Sequence, residues 1–176
     1  LDLQGLLSHI SMERVAREID KLESINFSIE IFKPIYKDSE QIERLFTKAY
    51  EKALAKTDRL TYQAMEAFIH NLNTMHSRAG AQVPFSSINF GTDTSVEGRM
   101  VTEQLLKALD AGLGNGETPI FPILIFKVKE GVNYNPGDPN YDLLRLSCTV
   151  SSKRLFPNFS FIDAPFNLQY YKEGHP

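Results

Sequence analysis

The sequence lacks several features that would assign it to a special class of protein. Its 176 residues include one cysteine, Cys148, and no tryptophan. A single cysteine excludes an internal disulfide and a zinc site built from several cysteines. No apolar run approaches the roughly 20 residues that a membrane span needs, and the first residues lack the basic region of a signal peptide. We therefore expect a cytoplasmic protein without membrane contact.

Excess positive charge is also absent. Nineteen basic residues stand against 22 acidic ones, for a formal net charge of −3. This balance argues against a DNA- or RNA-binding domain held by bulk charge. The four histidines have no metal-ligand spacing, so we expect no metal site in the chain. What is present, 42% hydrophobic and 23% charged residues, suits one ordinary globular domain.

The periodicity of apolar residues predicts helices in the first part of the chain. A short helix is expected over 11–22, followed by a strand over 25–32. Two further helices are expected, one from Asp38 or Ser39 to about Lys56 and one over 59–75. The last of these is apolar around much of its circumference, which indicates burial on more than one side, in a domain centre or an oligomer interface.

Strands and helices alternate in the second part. Strands are predicted over 83–90, 119–128 and 159–162, with helices from about 95 to 109 and from the turn at 133–140 to about 154. Such spacing indicates parallel βαβ units. The middle strand is almost continuously apolar, which is typical of a strand covered on both faces. We expect an α/β protein, with a mainly helical segment at 1–75 and parallel βαβ units at 76–176.

Two polar segments could bind an anion. His76-Ser77-Arg78-Ala79-Gly80 offers a guanidinium, a hydroxyl and a glycine, but the same residues would also cap the end of a helix. Ser86, Ser87 and Asn89 precede the loop Gly91–Ser95, at the carboxyl end of a strand where ligands bind in parallel α/β folds. That loop could equally cap its own helix.

Other segments have simpler interpretations. Gly112–Gly116 follows a helix and precedes a strand, the wrong order for a phosphate-binding loop, and is interpreted as a turn. Cys148 could be a reactive thiol or a small buried hydrophobe. Lys153 and Arg154 could meet phosphate or end a helix with positive charge.

Long segments of the second half resemble one family. These are residues 76–89, 91–95, 97–100, 111–122, 127–133, 135–143, 153–161 and 163–171. Together they resemble the catalytic subunit of the anaerobic, class III ribonucleoside-triphosphate reductases, which are glycyl-radical enzymes. The match covers most of residues 72–171, and residues 1–71 match more loosely.

The resemblance implies a fold and a chemistry. The fold is a ten-stranded α/β barrel, of which the strands above would be consecutive members. The reaction reduces ribonucleoside triphosphates to deoxyribonucleoside triphosphates. A glycyl radical, installed by an activating enzyme that uses an iron–sulfur cluster and S-adenosylmethionine, generates a thiyl radical that abstracts the substrate's 3′-hydrogen. Formate is the expected reductant, and a zinc site lies near the C-terminus of such enzymes.

The family also implies regulation in a homodimer, with nucleotide effectors at the dimer interface and ATP or dATP at a separate regulatory domain. Residues 1–75 would belong to the dimer and effector region. The loop Asn89–Gly98 is expected to communicate effector identity to substrate choice. The residues expected to bind substrate or effector are His76, Ser77, Arg78, Ser86, Ser87, Asn89, Thr92, Asp93 and Arg99.

The chain is expected to be an internal fragment of such an enzyme. The thiyl cysteine of the family follows soon after the segment that ends at Tyr170-Tyr171. Cys148 does not match the position of that cysteine. Neither a glycyl-radical segment nor the zinc-binding cysteines occur in these residues, so we expect no catalysis by the chain alone. One alternative is a non-catalytic nucleotide-binding or dimerisation module. Another is a different glycyl-radical enzyme, against which the detailed match of residues 76–171 argues.

Overall fold

The computed structural model describes residues 39–75 and 82–170. The predicted helix over 11–22, the predicted strand over 25–32 and the candidate residues His76, Ser77 and Arg78 lie outside these residues. The chain divides into two compact units, residues 1–52 and 53–176. The described part of the first unit is the beginning of a helix, and everything else below concerns the second unit.

Helices and strands alternate after one long helix. The elements are α1 (Ser39–Thr74), β1 (Ser87–Phe90), α2 (Val96–Ala111), β2 (Ile123–Val128), α3 (Tyr141–Arg154), β3 (Asn158–Phe161) and the short α4 (Pro165–Leu168). None of the described helices is both long enough and apolar enough to cross a membrane.

Helix α1 corrects the prediction of two helices with a break after Lys56. Neither glycine nor proline occurs between Ser39 and Thr74, and Thr57 does not interrupt the helix because its hydroxyl donates to the carbonyl of Ala53, 2.8 Å away. Within a single chain the described part of α1 is not buried on several sides, so the predicted domain centre does not hold and the oligomer interface stays a prediction. Ile69 is 1% exposed, whereas Leu60 is 54% exposed.

The three strands form one parallel sheet in the order β1-β2-β3, which confirms the α/β class and the predicted parallel units. Two strands begin four residues later than predicted, at Ser87 and Ile123. Pro84 and Pro122 explain the difference, since a proline has no N–H to donate to a neighbouring strand.

One face of the sheet packs against the helices. Leu124 and Phe126 are fully buried there and Val128 nearly so, and α2 and α3 pack against each other beside them. The apolar core that these elements share contains Ile69, Leu105, Leu106, Ala108, Leu109, Leu124 and Val150. Burial of this face holds the second unit together.

The other face of the sheet corrects the prediction that β2 is covered on both sides. Burial along β2 alternates strictly, and Ile123, Ile125 and Lys127 are only half-buried. The side chains beside them on β1, Ser87 and Asn89, are polar and exposed, so they do not cover the isoleucines.

Candidate functional site

Polar side chains from all three strands lie on the sheet face that is turned away from the helices. We call it the polar face; it consists of Ser87, Asn89, Ile123, Ile125, Lys127, Asn158 and Ser160. The register places Asn89 opposite Ile125 and Ile125 opposite Asn158. Two strand spacings of about 4.8 Å therefore separate the backbones of the two asparagines. Lys127 lies opposite Ser160 in the next row.

The structure brings together only some of the predicted binding residues. Ser87 and Asn89 share the polar face. Ser86 precedes β1, and strand alternation places it opposite to Ser87. Its hydroxyl donates to the carbonyl of Pro84, 3.3 Å away. The polar face is therefore formed by the second serine of the pair and not by the first.

The loop after β1 caps its own helix. The Ser95 hydroxyl accepts from the N–H of Gly98 at 3.0 Å, and the Asp93 carboxylate accepts from the N–H of Ser95 at 2.9 Å. Hydrogen bonds from the Ser95 hydroxyl and backbone hold the pKa of Asp93 below its ordinary value. The Asp93 carboxylate already lies at this helix terminus and would repel a bound anion. This arrangement favours the self-capping interpretation of the loop.

Arg99 turns toward the loop that precedes α3. Its guanidinium donates to the Pro139 carbonyl, to Asn140 Oδ1 at 2.7 Å and to Asp142 Oδ2 at 2.7 Å. The Arg99 hydrogen bond and charge hold the pKa of Asp142 below its ordinary value. Three protein oxygens thus occupy three of the five N–H donors of a residue predicted to bind a nucleotide.

Two buried asparagines were missed by the sequence analysis. The Nδ2 groups of Asn133 and Asn140 both donate to the Gly91 carbonyl, at 2.9 and 3.1 Å, and both side chains are fully buried. Asn140 Nδ2 also donates to the Asp93 carbonyl at 2.7 Å. Asparagine in a turn rich in glycine and proline is typical of turn formation. The repetition of asparagine through 133–140 was the only sequence signal for them.

A cleft lies beside the same loop, between α1, β1 and α2. It has a volume of about 510 Å³ and is lined mainly by apolar side chains, including Met65, Phe68 and Leu105. Thr92 and Asp93 also line it. The loop after β1 therefore borders an apolar cleft, while the strand before it carries the polar face.

Lys153 and Arg154 end helices and do not form an open phosphate site. The Arg154 guanidinium donates to the carbonyls of Asp110, Ala111 and Gly116 at the end of α2 and in the turn after it. Lys153 pairs with the Asp110 carboxylate at 3.1 Å. The glycine-rich segment is a turn, with the N–H of Gly112 donating back to the last carbonyls of α2. Both structural interpretations are confirmed.

Cys148 is exposed on α3, so it is not the small buried hydrophobe that the sequence allowed. Among residues 39–75 and 82–170, no group of three metal-ligating side chains lies close enough together to hold an ion.

Comparison with known proteins assigns the chain to a family. The sequence model for anaerobic ribonucleoside-triphosphate reductase matches residues 13–175. The chain belongs to this family. It is 39% identical to an anaerobic ribonucleoside-triphosphate reductase of Haemophilus influenzae over 112 residues, which are 63% of the chain and 15% of that protein. It is 43% identical to the enzyme of Enterobacteria phage T4 over 111 residues, which are 62% of the chain and 18% of that protein.

The reductase of Escherichia coli is similar too, at 39% identity over 107 residues. These residues are 60% of the chain and 15% of that protein. The family match and these identities confirm the predicted family. The chain matches less than a fifth of the length of each of these reductases.

Proposed function

We propose that the protein containing this chain reduces ribonucleoside triphosphates to deoxyribonucleoside triphosphates without oxygen, and that this chain supplies part of its substrate-binding barrel. Family membership supports the reaction class. The polar face is the observation that supports a substrate-binding role for this chain. The three strands are parallel and lie side by side in sequence order, as three neighbouring strands of a ten-stranded α/β barrel would. In that barrel the helices lie outside, so the polar face would line the interior.

The groups on the polar face suit a nucleotide. Hydroxyl and amide side chains donate and accept hydrogen bonds, as the hydroxyls of a ribose require. The row containing Asn89 and Asn158 places two amides on either side of Ile125. Lys127 lies in the neighbouring row and provides positive charge for a phosphate. We propose that Ser87 and Asn89 contact the substrate and that Asn158 and Ser160 join them.

The radical chemistry would come from other parts of the protein. Cys148 is exposed on α3, a helix that packs on the side of the sheet opposite to the polar face. A thiyl radical at this cysteine would not reach a substrate on that face. In the proposed enzyme the glycyl radical, its iron–sulfur and S-adenosylmethionine-dependent activating enzyme, the formate reductant and the zinc site involve residues outside this chain, which alone would be inactive.

The proposed enzyme is a cytoplasmic homodimer controlled by nucleotide effectors. Exposed apolar side chains on α1, including Leu54 and Leu60, would be covered by a partner subunit. The loop Asn89–Gly98 would link an effector to substrate choice. Replacing Thr92 and Asp93 by alanine should then change the preference among the four substrates more than overall turnover. An equal loss on all four substrates would contradict this role of the loop.

The main test replaces Asn89 by alanine in the intact, activated protein. Formate-dependent reduction of cytidine triphosphate is measured without oxygen. We expect kcat/KM to fall by about tenfold to a hundredfold, since a substrate hydroxyl would lose its partner. Ser152→Ala, an exposed serine substitution on α3, is the matched control and should leave kcat/KM unchanged. Normal turnover by the Asn89 variant would remove the polar face from the substrate site.

The second candidate is a nucleotide-binding or dimerisation module without catalysis, which the exposed Leu54 and Leu60 on α1 favour. It predicts that the intact protein binds nucleoside triphosphates and yields no deoxynucleotide even after activation. Turnover by the intact protein, with none by the 176 residues alone, would decide for the reductase.

A further inference from the structure

The loops that follow β1 and β2 are tied together by side-chain amides of the second loop. Asn133 lies in the loop after β2, and its Nδ2 donates to Gly91 O at 2.9 Å, 42 residues away along the chain. Its Oδ1 accepts from the N–H of Lys129 at 2.9 Å, and its Nδ2 also reaches the Lys127 carbonyl at 2.9 Å. One buried amide thus joins the carboxyl ends of two neighbouring strands.

Asn140 makes a second connection between the same loops. Its Nδ2 bridges the carbonyls of Gly91 and Asp93, at 3.1 and 2.7 Å. Its Oδ1 accepts from Arg99, which fixes the orientation of the amide and therefore which atoms face the loop. Arg99 is itself held by the Asp142 carboxylate at 2.7 Å. Every polar atom of the Asn140 side chain is used.

Gly91, whose carbonyl accepts from both amides, is closely packed. It is buried, with a φ of +110°, and a Cβ at this position would lie 3.0 Å from the ring of Phe126. The residue is therefore fixed by the ring on one side and by two amides at its carbonyl. Asn89 lies two residues before it on β1. The two amide contacts at Gly91 therefore lie beside the part of β1 that carries Asn89.

We propose that Asn133, Asn140 and Arg99 are positioning residues that hold the end of β1, so that Asn89 meets a nucleoside triphosphate in one orientation. We call these three residues the loop clamp. This inference rests on the proposed function, because it names the residues that prepare the same site. Asn133 and Asn140 donate to backbone carbonyls of the loop, and Arg99 donates to Asn140, so the three residues act on the substrate through Asn89.

The sharpest variant is Asn140→Asp. A carboxylate keeps the shape of the side chain and its acceptor for Arg99, but it has no N–H to donate to Gly91 and Asp93. Asn167→Asp is the matched control. The Asn167 amide donates to the carbonyl of Phe161 at 2.8 Å, after β3, so the control loses the same kind of hydrogen bond at a different loop.

The first measurement needs no enzymatic activity. Amide hydrogen exchange of the segment 91–95 is followed by mass spectrometry in the intact protein. We expect exchange in this segment to accelerate about tenfold in Asn140→Asp, since a buried carbonyl pair loses its donor, and to stay unchanged in Asn167→Asp. Unchanged exchange in Asn140→Asp would overturn the clamp, whatever the protein's activity.

The second measurement separates positioning from mere support of the fold. We expect the KM for cytidine triphosphate to rise about tenfold in Asn140→Asp while kcat changes less than about twofold. Neither constant should change in Asn167→Asp. Accelerated exchange with an unchanged KM would make the clamp purely structural and overturn the positioning role. Absence of turnover in the unsubstituted protein would instead count against the proposed function, and the exchange result would still stand.

A milder variant covers the case in which Asn140→Asp does not fold. Arg99→Gln keeps a donor but cannot bind Pro139, Asn140 and Asp142 together. Exchange of the segment 91–95 should then accelerate about threefold, and KM should rise by a similar factor. If both stay unchanged in a folded Arg99 variant, the loop clamp does not include Arg99 and the proposal as stated is wrong.

Discussion

The two faces of the small parallel sheet are made from alternate residues of the same strands, yet they differ in nearly every physical property. On the helix side, Leu124, Phe126 and Val128 are buried in the apolar core. One residue away along the same strand, Ile125 and Lys127 are half-buried among serine and asparagine side chains. The comparison teaches that the residues that hold the fold together lie on one face, and that the residues proposed to contact a ligand lie on the other.

The largest effect should come from the core side. Phe126→Ala removes a fully buried ring that meets Phe90 at 5.4 Å and Phe159 at 6.1 Å between ring centroids. We expect the free energy of unfolding to fall by about 3–5 kcal/mol, measured by urea denaturation. Ile125→Ala, its neighbour on the polar face, should cost less than about 2 kcal/mol. Equal losses would abolish the distinction between the faces.

A glycine beneath the same ring offers the next test. Gly91→Ala places a Cβ 3.0 Å from Phe126 in a backbone conformation that L residues rarely adopt. We expect a loss of about 1–3 kcal/mol in unfolding free energy. Gly114→Ala is the control, because a Cβ there meets nothing within 4 Å. It should change stability by less than about 0.5 kcal/mol, and a similar loss at both positions would contradict the close packing of Gly91.

Removing polar groups from the polar face should leave stability almost unchanged. The double variant Ser87→Ala, Asn89→Ala alters two exposed side chains of β1. Its urea midpoint should therefore correspond to a change of less than about 0.5 kcal/mol. A larger destabilisation would mean that these side chains support the fold, and their assignment to ligand contact would lose its basis.

Another small effect concerns pH and the carboxylate that pairs with Arg99. The pKa of Asp142 is lower in the folded chain than in the unfolded chain. Its contribution to stability is therefore fully present above the unfolded pKa of about 3.9 and is lost as the pH falls through the folded value. Because the pair is substantially exposed, Asp142→Asn should cost less than about 1 kcal/mol at pH 7. Urea midpoints of the two proteins should converge on acidification, and a gap that widens would contradict the pairing.

Much of the fold follows from sequence pattern alone. Three parallel strands separated by helices were predicted from alternation and spacing, and the Ser95 cap follows from its position before α2. The break predicted near Lys56 was wrong because threonine and aspartate favour caps only on average, whereas Thr57 satisfies its hydroxyl inside the helix. Two strands begin later than predicted because their apolar runs include Pro84 and Pro122. These prolines have no N–H to donate to a neighbouring strand.

The candidate site was harder to predict because side-chain partners are set by tertiary contacts. Ser87 and Asn89 were identified by their place on a strand. Arg99 was expected to bind a nucleotide, but nothing local shows that the donors of a guanidinium are taken by residues about 40 positions away. Asn133 and Asn140 lie in a turn, where asparagine is common, so the sequence gives no reason to expect that they contact another loop. The roles of His76, Ser77 and Arg78 stay predictions.

The register of the sheet has a consequence for the order of folding. Ser87 pairs with Ile123 and Ile125 with Asn158, so each pairing joins segments more than thirty residues apart and encloses a complete helix. No hairpin joins these three strands, and the entropy of closing the intervening connection must be offset before either strand pair forms. β2 belongs to both pairings, and its six residues therefore act as the common template on which β1 and β3 are aligned.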